Sequence, residues 1–277
     1  MVIYHDLHPI LTRPSKQYTP LDPNKMDVLW CPSDPRILTL FQDILLLLPS
    51  LFGLFMNRLP YRELIQGQDY WIQDQALPNA LEIAQRCIAI STWTLGSPWR
   101  PEPWPGMRAP GALTPDELRT VEGYVITHLR VPNLIPQSDS KAGLSGHNHI
   151  QICGGAEGVA RPHVDSASTC DYAAVLYLHP SPPTTHCGTS FYRLHLPGEP
   201  PDGNYCPKDY ESLSEVPGVS QEMDPTMFNE ILEVPYVFNR LVVYKSDLIH
   251  SATGYFGWDH ALASKRMAVV CFWKAGS

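Results

Sequence analysis

The chain has 277 residues, of which 44% are hydrophobic and 17% charged, enough apolar content for a sizeable core and too much for a chain disordered throughout. A formal net charge of -8, with no run of Lys or Arg, disfavours nucleic acid and anionic membranes and points to a small-molecule substrate. Seven cysteines (31, 87, 153, 170, 187, 206 and 271) form no Cys-x-x-Cys pair, which excludes a zinc ribbon or dithiol motif and fits a reducing, cytoplasmic setting.

Residues 1–33, rich in proline and polar side chains, read as an extended arm; MVIYHDLHPI lacks the basic start and apolar stretch of a secretory signal. Asp34-Pro35 is a helix start. Ile37 to Met56 is almost long enough to span a membrane, but Gln42, Asp43, Pro49 and Gly53 interrupt it. It is therefore read as one or two buried helices and no membrane span, with a homodimer interface as the other use of that surface. The segment DYWIQDQALPNALEIAQRCIAI predicts a short strand, a turn and a helix from about Pro78, with Leu81, Ala84 and Ile88 on one face. STWTLGSPWRPEPWPGMRAPGALT predicts irregular loop. In Thr114-Pro115-Asp116-Glu117, Thr caps, Pro takes the first helical position and Glu closes a capping box, so a helix runs to about Arg130.

From His147 the period becomes strand-like: HNHIQICGG, DYAAVLYLHP, GTSFYRLHLP, NRLVVYKSDLIH and RMAVVCFWKA are β-branched and aromatic runs between turn residues. The expectation is a single α+β domain: an arm (1–33), a mainly helical support (34–146) and a strand-rich sandwich or jelly roll (147–277) with a polar insert at 196–235. An insert that long is a lid, a binding loop or disordered chain.

His163-Val164-Asp165 puts an imidazole and a carboxylate on one side of an extended chain. Chance alone gives about 0.6 such pairs in a chain with eleven His and sixteen Asp, so the pair matters only in context. His250, at the end of the strand LVVYKSDLI, can complete a set of two His and one carboxylate, which suits iron(II) and leaves coordination positions open. His147 and His149 read as strand lining rather than a second ligand pair. His179, His186 and His195 sit near turns, where exposure is the default. Phe256 and Trp258 could wall the pocket or simply pack. Asn148 and Gln151 could touch substrate or only pair with backbone.

The ordered pieces HIQICGG, RPHVDSAS, DYAAVLYLHP, CGTSFYRLH, LVVYKSDLIHSATGYFG and KRMAVVCFWK resemble the double-stranded β-helix core of iron(II)/2-oxoglutarate-dependent dioxygenases, the prolyl-hydroxylase-like branch in particular; the PWPGMRAP loop and the helix before the core resemble one small uncharacterised oxygenase subfamily. The resemblance implies His163, Asp165 and His250 as catalytic metal ligands, iron(II), 2-oxoglutarate as co-substrate, and O2. It also implies a basic residue for the remote carboxylate of 2-oxoglutarate. Arg266 is first choice, through two parallel hydrogen bonds, and Lys245 second; Tyr177 and Thr189 are candidates for further bonds. Asp165 argues against halogenation, because halogenating relatives carry a small residue there.

Arg108, in the loop WPGMRAPG, would select an anionic substrate if it faces the pocket, with an amino-acid carboxylate the obvious group. The expected reaction is oxidation of a C–H bond in a small molecule, an amino acid or derivative in a biosynthetic pathway, by hydroxylation, desaturation or oxidative cyclisation such as aziridine formation. The alternatives are a cupin-like metal dioxygenase without 2-oxoglutarate and a catalytically silent metal-binding module.

Overall fold

The computed structural model describes residues 59–96, 104–137, 146–165, 168–195, 203–216, 219 and 224–276. All lie within the unit Asn57–Ser277. The expected arm, the helix start at Asp34 and the apolar segment from Ile37 to Met56 fall outside the described residues. Among the described residues no helix is long and apolar enough to cross a membrane.

The described chain is mostly antiparallel sheet with few helices. In order it forms β1 (Tyr70–Gln73), α1 (Ala80–Ile88), β2 (Thr94–Leu95), β3 (Met107–Pro110), α2 (Pro115–Leu129), β4 (Leu134–Pro136), β5 (His149–Cys153), β6 (Tyr172–Tyr177), β7 (Thr189–Leu194), β8 (Phe228–Val234), β9 (Leu241–Lys245), β10 (His250–Ala252) and β11 (Arg266–Ala275). An eight-stranded sheet has the order β1-β9-β6-β11-β5-β3-β2, with β4 also paired to β11; a three-stranded sheet has the order β10-β7-β8.

Alternation along β11 shows how these layers work. Met267, Val269, Cys271 and Trp273 face one side, where they join Ile83, Ala84 and Cys87 of α1 and Val121 and Val125 of α2 in one apolar cluster. Arg266, Ala268, Val270 and Phe272 face the other side. There Ala268 joins Tyr177 and Tyr244 of the large sheet and Phe191 and Val234 of the small one in a second cluster, so the two sheets meet face to face. Arg266, Val270 and Phe272 line a cavity in this space.

Several expectations are corrected. Residues 34–146 are not a helical support apart from the strands, because β1 to β4 belong to the same sheet as the core strands. The expected loop after Ile90 contains β2 and β3, paired as Thr94↔Arg108 and Leu95↔Met107. β3 carries Pro110, which a strand near a sheet edge tolerates. The insert contains β8, an edge strand paired along β7. Helix α1 buries Ala80, Ile83, Ala84 and Cys87, while Leu81 is 50% exposed, so the expected face is rotated.

Thr114 caps α2 in the expected capping box. Glu117 also ties the two helices together: its carboxylate accepts from Thr114 N at 2.8 Å, Asn79 Nδ2 at 2.7 Å and Arg86 Nη2 at 2.6 Å. Burial alone would raise its pKa, but the bonds to Arg86, Thr114 and Asn79 outweigh burial and hold it below the usual carboxylate range. A folded-state pKa below the unfolded one adds stability above the unfolded value and loses it as pH falls through the folded value. Glu117→Ala is therefore expected to cost about 1–2 kcal/mol at neutral pH, with the gap to the parent closing under acid conditions, as measured by denaturant melts across pH.

Candidate metal centre

His163 and His250 are joined by a two-way backbone bridge, each N–H donating to the other's carbonyl at 2.9 Å. Asp165 N donates to Ser246 O at 2.9 Å, so residues 163–165 run antiparallel to 246–250. Alternation then sends the side chains of His163, Asp165 and His250 one way and those of Val164 and Ile249 the other. Val164 and Ile249 enter a third apolar cluster with Leu213, Val216 and Phe228. This part of the insert therefore braces the two segments from behind.

The three side chains offer one ligand atom each, all within 4.8 Å of one another. Asp165 and His250 are buried and His163 is half-buried. The Nε2 atoms of His163 and His250 stand 3.9 and 3.5 Å from the two carboxylate oxygens of Asp165. Nδ1 of His163 lies 2.8 Å from Arg161 O, and Nδ1 of His250 lies 2.9 Å from Leu248 O. A carbonyl only accepts, so in each ring Nδ1 carries the hydrogen and Nε2 keeps its lone pair for the centre of the group. Metal-binding histidines are oriented in this way. Two neutral imidazoles and one carboxylate on one side of a point are the donor set that suits iron(II) with open positions.

Aromatic rings enclose the group. Trp104 stands edge-on to His163 with centroids 4.5 Å apart, and the Arg161 guanidinium lies 4.9 Å from the Trp104 ring centre. Tyr244 is 4.5 Å from the His250 ring; burial first, and the charge of Asp165 second, push its phenol pKa well above the ordinary value, so it stays protonated.

Of the expected co-substrate residues, Arg266 and Thr189 line the same cavity as the three ligand candidates, and Tyr177 does not. Tyr177 lies behind Thr189, the two hydroxyls 2.7 Å apart. Arg266 is 3% exposed, and its Nε and Nη2 donate to Cys187 O at 2.7 Å and Gly188 O at 3.1 Å. Among the described residues no carboxylate lies within ion-pair reach of Arg266. Lys245 pairs instead with Asp69 at 2.9 Å, and Lys265 pairs with Glu157.

Arg108 and Gln151, neighbours across β3 and β5, both line the cavity, and Arg108 is 6% exposed with Nη1 donating to Gly96 O at 2.5 Å. Arg108 thus sits on a strand, where the sequence led us to expect a loop. Asn148 does not line the cavity: its amide accepts from Leu113 N at 2.8 Å and donates to Leu113 O at 2.9 Å. His149 lines it as a neutral imidazole, its pKa lowered to about 3 by burial and, secondarily, by Arg108. His179 is buried against Phe256 rather than exposed, and Trp258 is 79% exposed rather than walling the pocket. The sequence reading missed Trp104, Arg161, Tyr244 and Tyr255, all cavity-lining. Only Tyr244 left a readable signal, since it shares the inward phase of β9 with Val242.

A family of unknown function (DUF6445) matches residues 157–260, a stretch that includes His163, Asp165 and His250. No curated protein matches the chain. Solved structures of similar shape include the non-heme alpha-ketoglutarate-dependent epimerase SnoN from nogalamycin biosynthesis, 14% identical with a TM-score of 0.45, the match covering 74% of this chain and 78% of that one. AviO1 from Streptomyces viridochromogenes Tue57 is 13% identical with a TM-score of 0.45, covering 74% and 89% of the two chains. A prolyl hydroxylase from Trichoplax adhaerens, in complex with a hypoxia inducible factor peptide fragment, is 9% identical with a TM-score of 0.43, covering 75% and 84%.

Proposed function

We propose that this chain is a non-haem iron(II) oxygenase that uses 2-oxoglutarate to oxidise a C–H bond of a small molecule, on a single domain whose facing sheets form a double-stranded β-helix. The observation that carries this reading is the convergence of two Nε2 atoms and a carboxylate, all within 4.8 Å, in a cavity that also contains the buried guanidinium of Arg266. His163, Asp165 and His250 would hold iron(II), and Arg266 and Thr189 the remote carboxylate of 2-oxoglutarate. Iron(II) bound with 2-oxoglutarate supplies oxidation of an unactivated C–H bond by O2, with succinate and carbon dioxide as co-products.

The protein's own part is orientation and exclusion of water. Trp104 and Tyr244 brace the two imidazoles, and Val270 and Phe272 give the cavity an apolar wall. Arg108 and Gln151 mark the substrate end, where a guanidinium favours a carboxylate such as that of an amino acid or derivative. Hydroxylation, desaturation and oxidative cyclisation differ in which substrate atom sits nearest the metal. Six buried free thiols among the described residues support a cytoplasmic setting.

The test is anaerobic addition of iron(II), then 2-oxoglutarate. A visible charge-transfer band, followed on exposure to O2 by succinate, is expected. Iron uptake and O2 consumption without any need for 2-oxoglutarate would favour a cupin-like dioxygenase. Absence of iron uptake would leave a silent module.

A further inference from the structure

Tyr255 belongs to neither the expected set of site residues nor the ligand triad, yet it lines the cavity beside Arg266. Its ring centre lies 5.6 Å from the Arg266 guanidinium carbon. The rings of Tyr177 and Tyr236 stand at 5.7 Å from the same carbon. The three phenols differ in what their hydroxyls do. Tyr177 bonds to Thr189, and Tyr236 donates to Met267 O at 2.6 Å while accepting from His179 N at 2.8 Å. The Tyr255 hydroxyl makes no hydrogen bond among the described residues.

Its position is built by close packing of two turns. A Cβ on Gly158 would fall 2.2 Å from the Tyr255 ring, so only glycine leaves room for it there. The turn containing Gly158 is tied to the Tyr255 loop through Gly155 N, which donates to Gly257 O at 2.9 Å, and Gly257 takes a φ of +86 that favours glycine. The ring base is thus fixed against Gly158, with the hydroxyl end left without a protein partner.

Arg266 creates the need for such a group. The edge of its fork formed by Nε and Nη2 is engaged by the carbonyls of Cys187 and Gly188, which leaves Nη1 and the outer edge for a ligand. A carboxylate drawn out of water has about four lone-pair positions to satisfy, more than that outer edge supplies. Burial raises the Tyr255 pKa, which keeps the hydroxyl a donor at neutral pH.

Resting on the oxygenase reading above, we infer that Tyr255 donates a hydrogen bond to the remote carboxylate of 2-oxoglutarate beside Arg266, and so selects a 2-oxo acid with a second carboxylate.

The test is anaerobic calorimetric titration of the iron(II)-loaded parent, Tyr255→Phe and Gly158→Ala with 2-oxoglutarate and with 2-oxobutyrate, which keeps the 2-oxo acid head and lacks the remote carboxylate. Phe retains the ring against Gly158, and a thermal melt checks that the fold is intact. Tyr255→Phe is expected to bind 2-oxoglutarate about 10- to 100-fold more weakly with 2-oxobutyrate unchanged. Gly158→Ala, which must displace the ring, is expected to show the same selective loss. Equal 2-oxoglutarate affinity in the parent and Tyr255→Phe, or equal losses for both acids, overturns the assignment of Tyr255 while leaving the oxygenase reading standing. A parent that takes up iron(II) but binds neither acid removes the oxygenase reading, and this inference with it.

Discussion

Asp165→Ala is expected to lower iron(II) affinity by at least about a hundredfold and to abolish 2-oxoglutarate turnover, measured by anaerobic metal titration and by succinate formation. Loss of an outer partner of a metal ligand typically costs 10–100-fold, so removal of a ligand should cost at least the upper end of that range. The variant should fold, because the bond that fixes this segment is made by the backbone N–H of residue 165 to Ser246 O and survives any side chain except proline. The neighbouring Val164 keeps its place in the apolar cluster with Leu213 and Phe228. Unchanged iron uptake in a folded Asp165→Ala protein would remove the carboxylate from the proposed site.

The part of this site legible in the sequence was the part carried by period-two alternation. β5, β6, β7, β9 and β11 fall inside the five runs read from His147 onward, and the phase of β11 alone puts Arg266 on the cavity side and Trp273 on the helix side. The strands that were missed, β2, β3 and β8, sit at or next to sheet edges. An edge strand can carry Pro110, and it can expose Asn229, Glu230 and Ile231 in succession, so neither composition nor alternation announces it. Missing β3 is what made Arg108 look like a loop cation. Its pairing with Gln151 is a long-range fact that no local pattern contains.

The same limit separates Tyr177 from Tyr255. Tyr177 stands on a readable strand and was the natural candidate for the co-substrate, but its hydroxyl is engaged by Thr189. Tyr255 lies in an irregular loop between β10 and β11 and is oriented by Gly158, nearly a hundred positions earlier. The ligand triad was legible for a different reason. His163 and Asp165 are two apart, which fixes their common side, and a strand with strong β propensity delivers His250. The structure adds the bridge between His163 and His250 and the carbonyls that fix both tautomers.

Arg266→Leu is expected to weaken 2-oxoglutarate binding to the iron(II)-loaded protein by two to three orders of magnitude, about what removal of one partner from a buried, hydrogen-bonded charge pair costs. This substitution also leaves Cys187 O and Gly188 O without their guanidinium donors in a buried setting, so the melting temperature should fall, by an amount equivalent to about 1–3 kcal/mol. Binding of 2-oxobutyrate separates the two effects: a structural collapse of the cavity would weaken both acids, whereas loss of the carboxylate anchor weakens 2-oxoglutarate alone. Arg266→Lys sharpens the point. Lysine keeps the charge but cannot bond both carbonyls and a ligand carboxylate from one ammonium in the geometry of the planar fork, so it should recover only part of the affinity. If Arg266→Lys binds 2-oxoglutarate as well as the parent, charge alone anchors the co-substrate, and the fork held by Cys187 and Gly188 has no role in its recognition.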